Sequence, residues 1–130
     1  SIALDDIEKI VGKIIQATSN ESKPDAPGML SRHYAPSTEC YLTDKAEKLI
    51  PSFKGKKIGL LVFTKKQLVY SNCTQEVLSP EGDLAEAAKN LYAALHRLDN
   101  SMLDVIIMEK VPNEGLGKSI NDRLQRAVAK

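Results

Sequence analysis

The side chains best suited to chemistry in this chain are Arg32, His33 and Tyr34, which follow one another directly. They offer a guanidinium, an imidazole and a phenol, so one short stretch can bind an anion, exchange a proton and donate a hydrogen bond. Prolines surround the stretch and predict an irregular loop, because each proline lacks a backbone donor and disfavours helix in the residue before it. Since loops often carry function, we interpret 26–36 as a connector with a functional role. The alternative is that these side chains only pack on a neighbouring domain or face water.

A second candidate is the turn that contains Gly115, Gly117, Lys118 and Ser119. A glycine-containing turn that ends in Gly-Lys-Ser and leads into a helix is similar to a phosphate-binding P-loop. Position 112, where that motif needs its first glycine, is a proline, which has no N–H to offer a phosphate. We therefore expect an anion-binding turn of a weaker kind. The alternative is a tight turn in which the glycines serve the backbone conformation.

Other signatures of catalysis are missing from the sequence. It has no Gly-x-Ser-x-Gly, no pair of carboxylates within one loop and no cysteine followed by a plausible base. The two histidines lie far apart and the two cysteines are isolated, so the spacing predicts no metal site. We predict no catalytic residue in this chain, and two thiols that belong to a reducing compartment.

The composition is typical of a globular domain in water. The chain has 130 residues, of which 42% are hydrophobic and 27% charged. No apolar run approaches the roughly 20 residues of a membrane span, which predicts a soluble protein without a membrane partner. A net charge of +1 does not predict strong attraction to nucleic acid. The lysine-rich range 45–66 leaves a weaker RNA- or protein-binding surface as an alternative.

Two segments, 57–63 and 104–109, have a continuous apolar interior and are typical of strands buried on both faces. Shorter strands are predicted at 40–42, 68–70 and 74–78. Helical periodicity is found at 3–16, 44–50, 83–98 and 117–129. Helices that alternate with buried strands predict an α/β fold, with a Rossmann-like, mostly parallel central sheet and helices on both faces.

Local signals predict where the helices begin and end. Asp83 with Glu86 three residues later is typical of a capping box at the start of the long helix. Pro51 is expected to stop the helix before it. We further predict an ion pair between Asp122 and Arg126, which are four residues apart on the last helix.

The predicted elements divide the chain into three parts. Residues 1–17 form an amphipathic helix whose apolar stripe needs a partner, which we expect to be an upstream domain outside this sequence. Residues 18–38 form a linker, which is long for a connection without structure of its own. Residues 39–130 form a single C-terminal α/β domain. We therefore interpret the chain as a piece of a longer protein.

Three segments of the sequence resemble one protein family. The stretch APGMLSRHYAP at 26–36 is similar to the interdomain motif of the two-domain threonylcarbamoyl-AMP synthases. LYAALHRLD at 91–99 and EGLGKSINDRLQRAV at 114–128 resemble two signatures of that family's C-terminal domain, in the same order. The sequence departs from the family pattern at Ser31, His96 and Ser119. On this resemblance the YrdC-like catalytic domain would be the upstream domain that the sequence lacks.

The resemblance implies an enzyme that uses ATP with magnesium, L-threonine and bicarbonate. Its products are threonylcarbamoyl-adenylate and pyrophosphate, which makes it a nucleotidyltransferase on the way to threonylcarbamoyladenosine in tRNA. It also implies a cytoplasmic protein that serves tRNA indirectly and whose main partner is its own catalytic domain. This chain would need no cofactor and would not be catalytic alone, and its oligomeric state is left open.

The resemblance assigns a role to the linker as well. In the family the linker crosses the mouth of the catalytic cleft, which places Gly28, Met29, Arg32, His33 and Tyr34 near the substrate as parts of a lid. On this interpretation we expect 32–34 to be disordered or held by contacts from outside the C-terminal domain, whereas a well-packed, fully buried Tyr34 would favour the alternative that it only packs on that domain. The alternative from another class is a free-standing Rossmann-like module that binds a nucleotide or another anion at 115–119.

Overall fold

The computed structural model describes residues 34–64 and 73–128. The strands are β1 (Glu39–Thr43), β2 (Ile58–Val62), β3 (Cys73–Val77) and β4 (Val105–Glu109). The helices are α1 (Ala46–Leu49), α2 (Leu84–Asp99) and α3 (Leu116–Val128), and a 3₁₀-helix (Ile50–Phe53) follows α1 directly. The helix predicted at 3–16 and the strand predicted at 68–70 lie outside the described residues.

The four strands form one parallel sheet in the order β1-β4-β2-β3. The two central strands, β2 and β4, are buried along their whole length. They are the two continuous apolar runs of the sequence, because a parallel strand covered on both faces has no position that prefers water. The predicted α/β fold and parallel sheet are confirmed.

Helices cover both faces of the sheet, as predicted. Successive strand residues point to opposite faces, so Leu61 and Leu60 enter different cores. Leu61 joins the core under α2 and α3, together with Ile106 and Met108. Leu60 joins the core under α1 and the 3₁₀-helix. The chain therefore places its two long helices on one face and its short ones on the other.

The start of α2 differs in detail from a simple capping box. Asp83 Oδ1 accepts hydrogen bonds from the backbone N–H groups of Ala85 and Glu86, at 2.9 and 3.3 Å. Glu86 does not return a bond to Asp83 directly. Instead the buried hydroxyl of Ser79 accepts from the Asp83 N–H at 2.7 Å and donates to Glu86 Oε1 at 2.6 Å. The Ser79 hydroxyl thus links the two residues of the predicted capping box. The Asp83 N–H, the Ser79 hydroxyl and the Glu86 carboxylate all find a hydrogen-bond partner where the helix begins.

The start of α1 is capped by a distant side chain. Lys45, at the N-cap position, makes no side-chain cap. The carboxylate of Glu109, at the end of β4, accepts the Ala46 N–H at 2.7 Å, and Glu109 is only 4% exposed. A carboxylate is favourable at the positive end of a helix. Glu109 therefore fixes α1 to the carboxyl edge of the sheet.

The α-helix ends at Leu49, before Pro51, as predicted, but the chain continues through Pro51 as a 3₁₀-helix, which was not predicted. Pro51 occupies the first turn of the 3₁₀-helix, where its missing N–H is not needed and its fixed φ is suitable.

Among the described residues no helix is both long enough and apolar enough to cross a membrane.

Candidate functional site

Tyr34, the last residue of the predicted lid cluster, packs on the end of α2. Its hydroxyl donates to Asp99 Oδ2 at 2.9 Å. Its ring stacks on His96, with centroids 4.4 Å apart and planes 13° from parallel, and meets the ring of Tyr92 edge-on at 5.8 Å. The expectation that Tyr34 would be disordered or held from outside the C-terminal domain is therefore wrong, and its half-buried packing on α2 favours the alternative that it packs on that domain. An amphipathic phenol can pack its ring while its hydroxyl finds a polar partner, and α2 offers both.

Asp99 holds the backbone that follows Tyr34 as well. Its Oδ2 also accepts the Ser37 N–H at 3.1 Å. Its Oδ1 accepts the N–H and the hydroxyl of Thr38, at 2.9 and 2.7 Å. We call Tyr34, Ser37, Thr38, His96 and Asp99 the linker anchor. Four donors converge on one carboxylate, so the end of the predicted linker is fixed to α2 immediately before β1.

The hydrogen bonds of the linker anchor set its electrostatics. Asp99 ends a helix, where the partial negative charge of the last carbonyls disfavours a carboxylate. Burial alone would raise the pKa of Asp99, but the hydrogen bonds from Thr38, Ser37 and Tyr34 outweigh it and leave that pKa lowered. Burial, and then the hydrogen bond to Asp99, raises the pKa of the Tyr34 phenol. The ionised carboxylate and the neutral phenol are thus the forms that the anchor favours.

The pH dependence of the anchor follows from these two shifts. A lowered Asp99 pKa stabilises the fold at pH values above the unfolded carboxyl's pKa of about 4, and this contribution is lost as the pH falls through the lower, folded value. A raised Tyr34 pKa stabilises the fold below about pH 10, and this contribution is lost as the pH rises further.

In an NMR titration from pH 2 to 7 we expect the chemical shift of the Thr38 amide proton to change with a midpoint below about 4. The Asp99→Asn variant should lack that transition, and a midpoint at or above the ordinary carboxyl value would contradict the prediction.

The other predicted lid residues are not placed by the structure. Gly28, Met29, Arg32 and His33 lie outside the described residues. The structure therefore assigns a position to Tyr34 only.

The turn before α3 uses its own backbone donors. The Gly117 N–H donates to the Glu114 carbonyl at 2.8 Å and the Lys118 N–H to the Gly115 carbonyl at 3.2 Å. Gly115 has a φ of +53°, a conformation that favours glycine. The interpretation of a tight turn that requires glycine is therefore supported, and two N–H groups that a bound anion would use are already paired.

Gly117 and Ser119 serve packing in this turn. A Cβ on Gly117 would lie 1.8 Å from the Pro112 carbonyl oxygen, so only glycine lets α3 approach the loop this closely. Ser119 is 1% exposed and its side chain does not face solvent. Of the four residues predicted to bind an anion, Lys118 alone presents a charged, exposed side chain. Anion binding at this turn stays a prediction.

Sequence reasoning missed Asp99 as a site residue. Its hydrogen-bond partners lie more than 60 residues earlier in the chain, and no local pattern joins the two segments. One signal was present: an acidic residue at a helix C-terminus is electrostatically unfavourable, which predicts that hydrogen-bond donors surround it in the folded chain.

The predicted ion pair of Asp122 with Arg126 is confirmed, at 2.9 Å. In the described ranges no group of three His, Cys, Asp or Glu side chains is arranged to hold a metal ion.

Comparison with known proteins gives a consistent family. The family model for "Threonylcarbamoyl-AMP synthase, C-terminal domain" matches residues 2–129. The chain is 34% identical to the threonylcarbamoyl-AMP synthase of Pyrococcus abyssi and 30% identical to that of Bacillus subtilis, in each match over 97% of the chain. A third relative, from Schizosaccharomyces pombe, is 29% identical over 82% of the chain. The chain spans 39% of the length of each of the first two relatives.

Solved structures agree with these relatives. The crystal structure of P. abyssi Sua5 complexed with L-threonine superposes with a TM-score of 0.61 at 34% identity, covering 74% of this chain and 29% of that chain. A variant of P. abyssi Sua5 in which a His and the following Tyr are both replaced by Ala gives a TM-score of 0.60 at 32% identity. It covers 72% of this chain and 28% of the variant.

Proposed function

This chain belongs to the family of threonylcarbamoyl-AMP synthase C-terminal domains, and on that premise we propose that it is the accessory domain and linker of such a synthase. The complete enzyme would use ATP with magnesium, L-threonine and bicarbonate to form threonylcarbamoyl-adenylate and pyrophosphate. The adenylate would then serve the modification of tRNA in the cytoplasm. The catalytic residues would lie in an upstream domain of the same protein. The chain itself would not be catalytic alone.

We assign the linker the role of a lid over the catalytic cleft. An acyl-adenylate is a reactive mixed anhydride, so a site that forms it gains from a cover that excludes water. The P. abyssi variant described above shows that an adjacent His and Tyr have been targeted in a relative. His33-Tyr34 is the one His-Tyr pair in the present sequence. This correspondence supports the assignment of Arg32 and His33 to the lid, with Tyr34 at its fixed end.

The observation that carries the proposal is the linker anchor. A lid needs one end held at a constant position, because motion at both ends would leave its reach undefined. Asp99 supplies that fixed end with four hydrogen bonds to Tyr34, Ser37 and Thr38. The C-terminal domain would therefore act on catalysis by holding the linker in place.

The test compares the complete protein encoded by the gene with the 130-residue chain. We measure pyrophosphate release in the presence of ATP, L-threonine and bicarbonate. The complete protein is expected to release pyrophosphate and the isolated chain to release none. Deletion of 18–130 from the complete protein is expected to lower the rate by about ten-fold or more, since a misplaced lid costs that much or more.

A substitution remote from the linker anchor provides the control. Lys54→Gln changes an exposed lysine at the end of the 3₁₀-helix and should leave the rate unchanged. Pyrophosphate release by the isolated chain would refute the accessory role. An unchanged rate after deletion of 18–130 would refute the lid.

A further inference from the structure

The edge where β1 and β4 end is a switch point of the sheet. The two strands are parallel neighbours. From β1 the chain continues to α1 on one face, and from β4 it continues to α3 on the opposite face. Open α/β sheets bind their ligands in the crevice that such diverging connections leave at the carboxyl ends of the strands.

A crevice of about 700 Å³ lies at this switch point. Its walls come from the end of β1, the loop after β4 and one side of α3, and they include Leu42, Asp44, Lys110, Val111, Lys118 and Gln125. Its size lies within the range of small-molecule sites. The apolar Leu42 and Val111 and the charged groups around them give it the mixed lining that such sites have.

The wall of the crevice is fixed without a ligand. The Asn121 side chain accepts the Val111 N–H at 2.9 Å and donates to the Val111 carbonyl at 2.9 Å. This pair ties the loop after β4 to α3. Because the loop is already ordered, a ligand would bind without the entropic cost of ordering it.

Two lysines supply positive charge that is available to a ligand. Lys110 Nζ lies 3.9 Å from Asp44 Oδ1, and since both side chains are well exposed this contact is weak. No ion pair or side-chain hydrogen bond joins Lys118 to any other residue in the described part of the chain. The nearby carboxylate of Asp122 is already paired with Arg126 at 2.9 Å. The crevice thus has two accessible ammonium groups, while Asp44 can accept a hydrogen bond from a ligand hydroxyl.

We propose that this crevice binds a phosphorylated small molecule, whose phosphate contacts Lys110 and Lys118 and whose hydroxyl groups donate to Asp44. A multiply charged phosphate suits two lysine ammonium groups, which act as point charges and do not need the planar match of a carboxylate with arginine. The backbone of the 115–119 turn contributes little, since its N–H groups at Gly117 and Lys118 are paired within the turn. The site does not depend on the proposed synthase activity. A nucleotide and free pyrophosphate share the phosphate that the two lysines require, but only the nucleotide has sugar hydroxyl groups for Asp44.

The test is a calorimetric titration of the 130-residue chain with pyrophosphate, AMP and ATP at low ionic strength, with NMR mapping of the amides. We expect at least one of these ligands to bind and to shift the Lys118, Asn121 and Asn113 signals. Lys110→Gln and Lys118→Gln should each weaken binding by about ten-fold, whereas Lys54→Gln, outside the crevice, should not.

The outcomes separate the sources of the phosphate. Binding of AMP or ATP more tightly than pyrophosphate supports a site for a nucleotide, whereas equal or tighter binding of pyrophosphate overturns the proposed contact of ligand hydroxyl groups with Asp44. No binding of any of the three at millimolar concentration overturns the proposal. Binding that both lysine variants retain at full strength overturns it as well, and urea unfolding of each variant shows that the fold is intact.

Discussion

Gly117→Ala is expected to lower the free energy of unfolding by about 3 kcal/mol or more. An alanine Cβ would lie 1.8 Å from the Pro112 carbonyl oxygen, and both the helix and the loop would have to separate to admit it. The loop has little freedom to move, because Asn121 holds the N–H and the carbonyl of Val111. In an unhindered helix the same change would stabilise by up to about 1 kcal/mol, so steric overlap reverses the sign of the effect.

Urea unfolding of both proteins, followed by circular dichroism, measures the difference. Gly115→Ala is the matched control two residues earlier, where a Cβ meets nothing within 4 Å and only the positive φ of +53° opposes it. We expect this control to lose about 1 kcal/mol, the cost of a left-handed conformation for an L-residue. A Gly117→Ala protein as stable as the control would show that α3 can move away from the loop.

Asp99→Ala is expected to detach the linker and to destabilise the chain by about 2 kcal/mol, because four donors lose their shared acceptor. The Thr38 and Ser37 amide protons should then exchange with solvent far faster than in the parent chain. The pyrophosphate-releasing activity proposed for the complete protein should fall, while the β2 and β4 amides keep their protection. Hydrogen exchange followed by NMR measures the first effect and the pyrophosphate assay the second.

Asp99→Asn separates charge from shape at the same position. The amide keeps the size of the side chain but has one acceptor oxygen, so its NH₂ group lies against hydrogen-bond donors of the linker anchor and cannot accept from them. We expect an intermediate loss in stability and in amide protection. If Asp99→Ala released Ser37 and Thr38 without lowering the activity, the anchor would be structural only.

The parts of the fold that the sequence predicted are those in which one segment carries its own signal. The runs 58–62 and 105–108 contain no polar side chain, and such strands must be covered on both faces. Asp83 precedes a long apolar stripe at helical spacing and does cap α2. The Asp122–Arg126 pair depends on a separation of four residues, which the helix itself sets.

The parts that the sequence did not predict depend on contacts between distant segments. The bond between Glu109 and the Ala46 N–H joins the end of β4 to the start of α1, and neither residue is unusual in its own neighbourhood. Tyr34 was predicted to belong to a functional cluster and Asp99 lies in a recognised segment, but only the folded chain shows that the two residues are hydrogen-bonded. Ser79 relays the cap of α2 because the chain bends back before the helix, a geometry that composition does not encode.

The strand order β1-β4-β2-β3 has a consequence for synthesis on the ribosome. Among the four described strands β1 is the first to be made, yet its neighbour β4 is the last. Pairings between segments so far apart in sequence form slowly, since a long loop must close before any contact rewards it. Until β4 emerges, β1 and the segment that Asp99 will hold have no native partner in the sheet. In the complete protein proposed above, an upstream domain would therefore finish folding before this one closes, as is usual for successive domains during translation.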